Sequence, residues 1–156
     1  MGLAAGGVRD CFGAAAVVSN DGAVLLGEMG PHTANAGKVY FPCGTPDSSD
    51  IAQGKVDLGW SVERELKEET GIDIAELEAE RGWTTVVDGP LIVQIRTLRS
   101  REDAQSLRAR MLAHLASEHQ PELADIRIVR GPQDYEPAMP PFVTVFLGRL
   151  FGTETP

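Results

Sequence analysis

Cysteine is scarce in this sequence. Only two of its 156 residues are cysteines, Cys11 and Cys43, and their separation is far too long for a CxxC metal-binding motif. A disulfide framework and a structural zinc site are therefore not expected. Isolated thiols fit a reducing compartment, so we expect a cytoplasmic protein.

Basic residues and long apolar runs are also few. The chain has 14 Lys and Arg against 23 Asp and Glu, a formal net charge of −9. A nucleic-acid polymer is disfavoured as the main partner because neutralising its phosphates requires a basic surface. No apolar stretch is long enough to span a bilayer, so no membrane partner is expected. A small phosphorylated ligand remains compatible with this charge if a divalent cation lies between ligand and protein.

The length suits one domain covering residues 1–156, with 42% hydrophobic residues available for a core. The start of the chain is rich in Gly and Ala and lacks the basic and apolar segments of a secretory signal. We interpret residues 1–10 as a loose leader.

Hydrophobic patterning predicts a mixed α/β domain. The predicted strands cover residues 12–19, 23–26, 38–42, 84–87, 91–98 and 126–129, and Asn20-Asp21-Gly22 is a predicted tight turn. The segment 43–54 is rich in Gly, Pro, Ser and Asp and is a predicted loop. Predicted helices cover residues 58–70 and 101–117, and a third follows Pro140-Pro141.

Three glutamates share one face of the helix predicted at residues 58–70. Glu65, Glu68 and Glu69 have the spacing i, i+3 and i+4, so their charges repel one another. Mg²⁺ or Mn²⁺ prefers oxygen ligands and would remove this repulsion. The alternative is a solvated charged face on which Arg64 pairs with Glu68.

The string Arg64-Glu65-Leu66-Lys67-Glu68-Glu69-Thr70-Gly71-Ile72 resembles the second half of the Nudix box. That box reads Gly, five residues, Glu, seven residues, then Arg-Glu-aliphatic-any-Glu-Glu-any-Gly-aliphatic. The resemblance implies an α/β/α sandwich with a mixed sheet. It also implies metal-dependent hydrolysis of a diphosphate linkage in a small nucleotide-derived substrate, and a homodimer is common among such relatives.

The resemblance also implies roles for individual residues. It implies that three side chains and one backbone carbonyl are ligands of Mg²⁺ or Mn²⁺: those of Glu65, Glu68, Glu69 and Gly44. The three glutamates are also the expected catalytic residues, with Glu65 as a ligand, a base for water, or both. Arg64 and Gly71 are expected to support the helix and the loop.

The first half of the box departs from the pattern. Counting back from Arg64 places the box Glu at Val56 and the opening Gly at Asp50. Gly44 is a better opening Gly, which requires about six inserted residues between residues 45 and 55. Asp57 lies one position from the missing Glu, and either supplies a carboxylate or only caps the helix; we favour the cap.

Two questions stay open in the sequence. Some relatives take the catalytic base from a later loop, where Asp134 and Glu136 are the candidates here. The divergent first half also favours a second hypothesis, a nucleotide-binding module of the same fold without turnover.

Overall fold

The computed structural model describes residues 10–44 and 46–153. Its main sheet contains eight strands: β1 (Asp10–Val18), β2 (Val24–Met29), β3 (Val39–Tyr40), β4 (Cys43–Gly44), β7 (Glu78–Ala79), β8 (Thr84–Asp88), β9 (Leu91–Arg99) and β10 (Leu123–Val129). The remaining two, β5 (Ile51–Ala52) and β6 (Lys55–Val56), form a separate hairpin. The helices are α1 (Leu58–Thr70), α2 (Ala104–Ser117) and α3 (Pro141–Phe151).

The main sheet is mixed. Its strands follow the order β10-β2-β1-β9-β7, with β3 beside β2, β4 beside β1 and β8 beside β9. β1 and β9 pair in parallel over their full length, from Asp10↔Leu91 to Val18↔Arg99, and the other pairs are antiparallel. The predicted turn between β1 and β2 is present, with Gly22 in the left-handed region at φ 84°.

Helices cover both faces of the sheet, which confirms the predicted α/β/α sandwich. Successive side chains of β1 point to opposite faces. Ala14 and Ala16 pack in the core under α3, with Phe142 and Phe146. On the other face, Ala15 and Val17 pack in the core under α1 and α2; the helix residues there are Val62, Leu66, Leu107, Met111 and Leu115.

Several predicted boundaries shift in the structure. Asp10, the last residue assigned to the leader, is the first residue of β1, and the rest of the predicted leader lies outside the described residues. α2 begins three residues later than the start predicted at residue 101, because the Asp103 side chain caps it by accepting a hydrogen bond from the Ser106 amide. Within the described residues, no helix combines the length and hydropathy needed to cross a membrane.

The segment predicted as a loop at residues 43–54 contains regular structure. It holds β4, a single 3₁₀ turn at Ser48–Asp50 and most of the β5–β6 hairpin. Its turn residues Gln53 and Gly54 adopt positive φ values of 52° and 76°, a conformation that allows a tight reversal of the chain.

Candidate metal centre

Three carboxylates converge beside α1. Glu65 and Glu69 lie one helical turn apart on α1, and Glu122 immediately precedes β10. Each side chain offers an oxygen atom, and these atoms lie within 4.8 Å of one another. The sequence predicted the first two together with Glu68, and the structure places Glu122, 53 residues further along the chain than Glu69, beside them.

Glu122 carries no local sequence signal. It reaches the cluster because β10 pairs antiparallel with β2, which brings the start of β10 to the end of β2 at Leu123↔Met29. The amide of Gly30 donates a 2.8 Å hydrogen bond to the Glu122 carbonyl and fixes its backbone. A correct pairing of these two strands was the only information that could have identified this residue.

Strand β4 forms the wall of the cluster. The amide of Cys43 donates a 3.0 Å hydrogen bond to Oε2 of Glu69. A Cβ atom on Gly44 would lie 2.6 Å from Cδ of Glu65, so only glycine leaves the Glu65 carboxylate in place. The structure thus places the predicted Gly44 against the predicted ligand Glu65.

Burial and mutual repulsion make the cluster costly without a cation. Glu69 is only 3% exposed, and burial, followed by the neighbouring carboxylates of Glu122 and Glu65, raises its pKa well above the usual range. Burial also raises the pKa of Glu65 to about 7, although the adjacent Arg64 opposes this. Both shifts express the cost of holding negative charges together away from water.

Arg64 links this cluster to the preceding loop. Its guanidinium donates to both carboxylate oxygens of the buried Asp50, from Nε at 3.2 Å and from Nη2 at 2.9 Å. Its Nη1 donates to Oε1 of Glu65 at 2.9 Å. Arg64 thus contacts both the loop and the helix, and sequence analysis did not identify Asp50 as its partner.

Glu68 lies outside the cluster. Its side chain is 61% exposed, and its Oε2 is 3.4 Å from Nη1 of Arg64. The ion pair of the charged-face alternative is therefore present for Glu68, whereas Glu65 and Glu69 face the cluster. A role for Glu68 in metal binding stays a prediction.

The other predicted residues have identifiable positions. Asp57 caps α1 by accepting a 3.0 Å hydrogen bond from the Trp60 amide, the function we favoured for it. Gly71 ends α1 in the left-handed conformation at φ 77°. The structure does not bring Asp134 or Glu136 into the cluster: Asp134 accepts from the Arg130 amide, and Glu136 pairs with Arg127.

The donor set fits a hard divalent cation. All three side chains offer carboxylate oxygens, the ligands that Mg²⁺ and Mn²⁺ prefer. Among the residues that the structure describes, these three form the one cluster of His, Cys, Asp or Glu side chains with the geometry to hold an ion. A doubly charged cation would offset the effects of burial and of mutual repulsion, which raise the pKa values of Glu65 and Glu69.

Solved structures share this fold at low sequence identity. A Nudix hydrolase from M. smegmatis aligns over 90% of this chain and 81% of its own, with a TM-score of 0.56 and 19% identity. The MutT protein from Methanosarcina mazei Go1 aligns over 91% and 92%, with a TM-score of 0.59 and 18% identity. The Nudix domain of Shewanella oneidensis NrtR, solved with ADP ribose, aligns over 80% and 74%, with a TM-score of 0.51 and 17% identity.

The chain therefore has the fold of the Nudix hydrolases, as the resemblance in its sequence predicted. No family model matches the sequence and no curated protein matches it. The likeness rests on the architecture of the whole domain.

Proposed function

We propose that this chain, built on the Nudix fold, is a Nudix hydrolase that uses Mg²⁺ or Mn²⁺ to split a diphosphate linkage in a nucleoside diphosphate derivative. The observation that carries the proposal is the convergence of Glu65, Glu69 and Glu122 within 4.8 Å beside Gly44. The fold of the solved relatives supports it, and the second half of the box supplies two of the three carboxylates.

In this proposal the buried and the exposed carboxylates of the cluster have different roles. Glu65 and Glu69 hold the ion, since they are fixed by Arg64 and by the Cys43 amide. When bound, the cation supplies positive charge for the diphosphate oxygens and lowers the pKa of a bound water. Glu122 is the exposed member of the cluster. We propose that its carboxylate accepts the proton of the attacking water.

The test is a phosphate-release screen with Mg²⁺ and Mn²⁺. The panel covers nucleoside diphosphate sugars, dinucleotides and oxidised nucleotides, and includes ADP-ribose because the NrtR Nudix domain was solved with it. We expect metal-dependent turnover of at least one class. Glu69→Gln and Glu65→Gln should lower kcat by about 100-fold or more, as loss of an essential charged group does.

Glu63→Gln is the matched control. It makes the same change on the same helix, away from the carboxylate face, and should leave turnover unchanged. Absence of turnover of every compound in the panel would contradict the proposed hydrolase activity. Ligand binding that persists in EDTA together with absence of phosphate release would instead support the nucleotide-binding module.

A further inference from the structure

The residues that flank the β5–β6 hairpin lie next to each other. The amide of Asp57 donates a 2.6 Å hydrogen bond to the carbonyl of Asp50. Between these two residues, β5 and β6 pair through Ile51↔Val56 and Ala52↔Lys55. Residues 51–56 therefore form a hairpin whose first and last residues are adjacent in space.

The hairpin contributes nothing to the core. All six residues from 51 to 56 are exposed, including the larger side chains Ile51 and Val56. Its two strands form their own sheet and do not pair with the main one. Removing it would therefore leave the two hydrophobic cores intact.

Without the hairpin, the spacing of the box is restored. Five residues separate Gly44 from Asp50, and the seven residues 57–63 separate the rejoined chain from Arg64. These are the spacings of Gly, five residues, acid, seven residues, Arg, with Asp in place of Glu. Along the uninterrupted sequence the same spacing leads from Arg64 to Val56, which lies within the hairpin.

The contacts of Asp50 give this position a physical role. Its side chain has no exposed surface. The Asp47 amide donates a 2.8 Å hydrogen bond to its Oδ2. Both of its oxygens accept from Arg64, a bidentate geometry that fixes the plane of the guanidinium. The fixed guanidinium then presents Nη1 to Glu65 at 2.9 Å.

We infer that Asp50 is the positioning residue that stands at the glutamate position of the box, and that residues 51–56 are a separable insertion placed directly behind it. Asp50 acts through Arg64 on the orientation of Glu65. This inference rests on the proposed function, in which Glu65 holds the metal.

The first experiment measures binding of Mn²⁺ alone by electron paramagnetic resonance, without substrate. A variant lacking residues 51–56 should bind Mn²⁺ within about threefold of the wild-type affinity. Asp50→Asn should weaken binding by about 10- to 100-fold, the usual effect of losing a partner that orients a ligand. Asp50→Glu restores the residue type of the box and should keep the affinity within about threefold of wild type.

Two further variants separate positioning from general destabilisation. Asp57→Asn changes a carboxylate at the other end of the hairpin, keeps a residue that caps helices, and should bind Mn²⁺ as wild type does. Arg64→Lys keeps the charge but lacks the planar fork, and should lose affinity as Asp50→Asn does. In Glu65→Gln, adding Asp50→Asn should cause no further loss of Mn²⁺ affinity, whereas a merely structural role would add a second loss.

A metal-independent readout completes the test. In ¹⁵N NMR, the Arg64 Nε–H proton should be protected from exchange with solvent in the wild type and in the deletion variant. This protection should be lost in Asp50→Asn. Wild-type Mn²⁺ affinity in Asp50→Asn would overturn this inference alone, as would a deletion variant that fails to fold or to bind. Absence of Mn²⁺ binding by the wild-type protein would overturn the proposed function.

Discussion

At the scale of single residues, Gly44 connects backbone geometry to the proposed metal site. A Cβ atom there would lie 2.6 Å from Cδ of Glu65, at the end of a flexible side chain. Gly44→Ala should therefore turn the Glu65 carboxylate away and leave the fold in place. We expect Mn²⁺ affinity to fall by about tenfold, while the free energy of unfolding measured in urea changes by less than about 1 kcal/mol.

Gly148→Ala is the control for that variant. The nearest atom that its added Cβ would meet in the part of the chain that the structure describes is Oγ1 of Thr153 at 3.9 Å. Gly148 lies in α3, on the opposite face of the sheet. It should leave Mn²⁺ affinity unchanged. Equal affinity in Gly44→Ala and the wild type would show that the close approach of β4 to Glu65 has no effect on the metal.

Asp50 gives a pH-dependent contribution to stability. The hydrogen-bonded guanidinium of Arg64 holds the pKa of Asp50 below its usual value of 3.8, despite burial. A carboxyl with a lowered pKa in the folded state stabilises the protein above its unfolded pKa, and this contribution is lost as pH falls through the folded pKa. Asp50→Asn should cost on the order of 3 kcal/mol at pH 7, since it leaves Arg64 without its buried partner.

Urea unfolding at pH 7 and at pH 3 measures this contribution. The difference between wild type and Asp50→Asn should be full at pH 7 and smaller at pH 3 and below. Asp47→Asn, whose more exposed carboxylate lies 3.6 Å from Arg64, should show a smaller difference at pH 7. A difference that stays constant across this range would refute the ionic origin of the effect.

At the scale of elements, the C-terminal end of α1 depends on Gly71. It adopts the left-handed conformation at φ 77°, and a Cβ would meet the ring of His114 at 2.8 Å. That ring belongs to α2, and its Nε2 lies 2.9 Å from the carbonyl of Glu68. Gly71 therefore lets the two helices approach each other at the end of the helix that carries the cluster.

A matched pair of substitutions separates backbone strain from this approach. Gly71→Ala and Gly152→Ala both place a side chain in the left-handed region, which costs about 1–2 kcal/mol. Among residues 10–44 and 46–153, nothing lies within 4 Å of the Cβ position at Gly152. Gly71→Ala should therefore lower the free energy of unfolding in urea by the larger amount, and equal losses would show that His114 yields without cost.

The sequence predicted α1 better than any other element. Its cap at Asp57 and its end at Gly71 are local signals, and the structure contains both of them. Of the three glutamates predicted on one face, Glu65 and Glu69 lie in the cluster and Glu68 does not. The segment before α1 could not be read in the same way, because the hairpin breaks the spacing on which the motif depends. Glu122 was missed for a different reason, since only the pairing of β10 with β2 brings it to the cluster.

The apolar face of α3 follows from helical periodicity alone. Phe142 and Phe146 recur every fourth residue after Pro140-Pro141, and both are buried on the sheet with Val143 and Leu147. The pattern fixed which side faces the core without any knowledge of strand order. Strand order itself, with β1 parallel to β9, depends on contacts between distant segments that hydrophobic patterning does not encode.

At the scale of the whole molecule, metal binding should stabilise the fold. The cluster joins α1 to the start of β10, so an ion bound at this cluster would bind the folded chain and not the unfolded one. At 100 times the dissociation constant this is worth about 2.7 kcal/mol. For a domain of this size the melting temperature should rise by roughly 5–10 °C.

Thermal unfolding in Mg²⁺, in Mn²⁺ and in EDTA measures this rise. Glu63→Gln should keep it, whereas Glu65→Gln and Glu69→Gln should reduce or abolish it. An equal melting temperature of the wild-type protein in saturating Mn²⁺ and in EDTA would argue against an ion at this cluster.

The distance along the chain between Glu69 and Glu122 has a consequence for biosynthesis. A nascent chain that has left the ribosome only as far as α2 carries Glu65, Glu69 and Gly44, but β2 still lacks β10 beside it. The cluster of three carboxylates is incomplete at that stage, because Glu122 has not yet been brought beside Glu65 and Glu69. Assembly of the complete proposed metal site is therefore a late event that follows the pairing of β10 with β2.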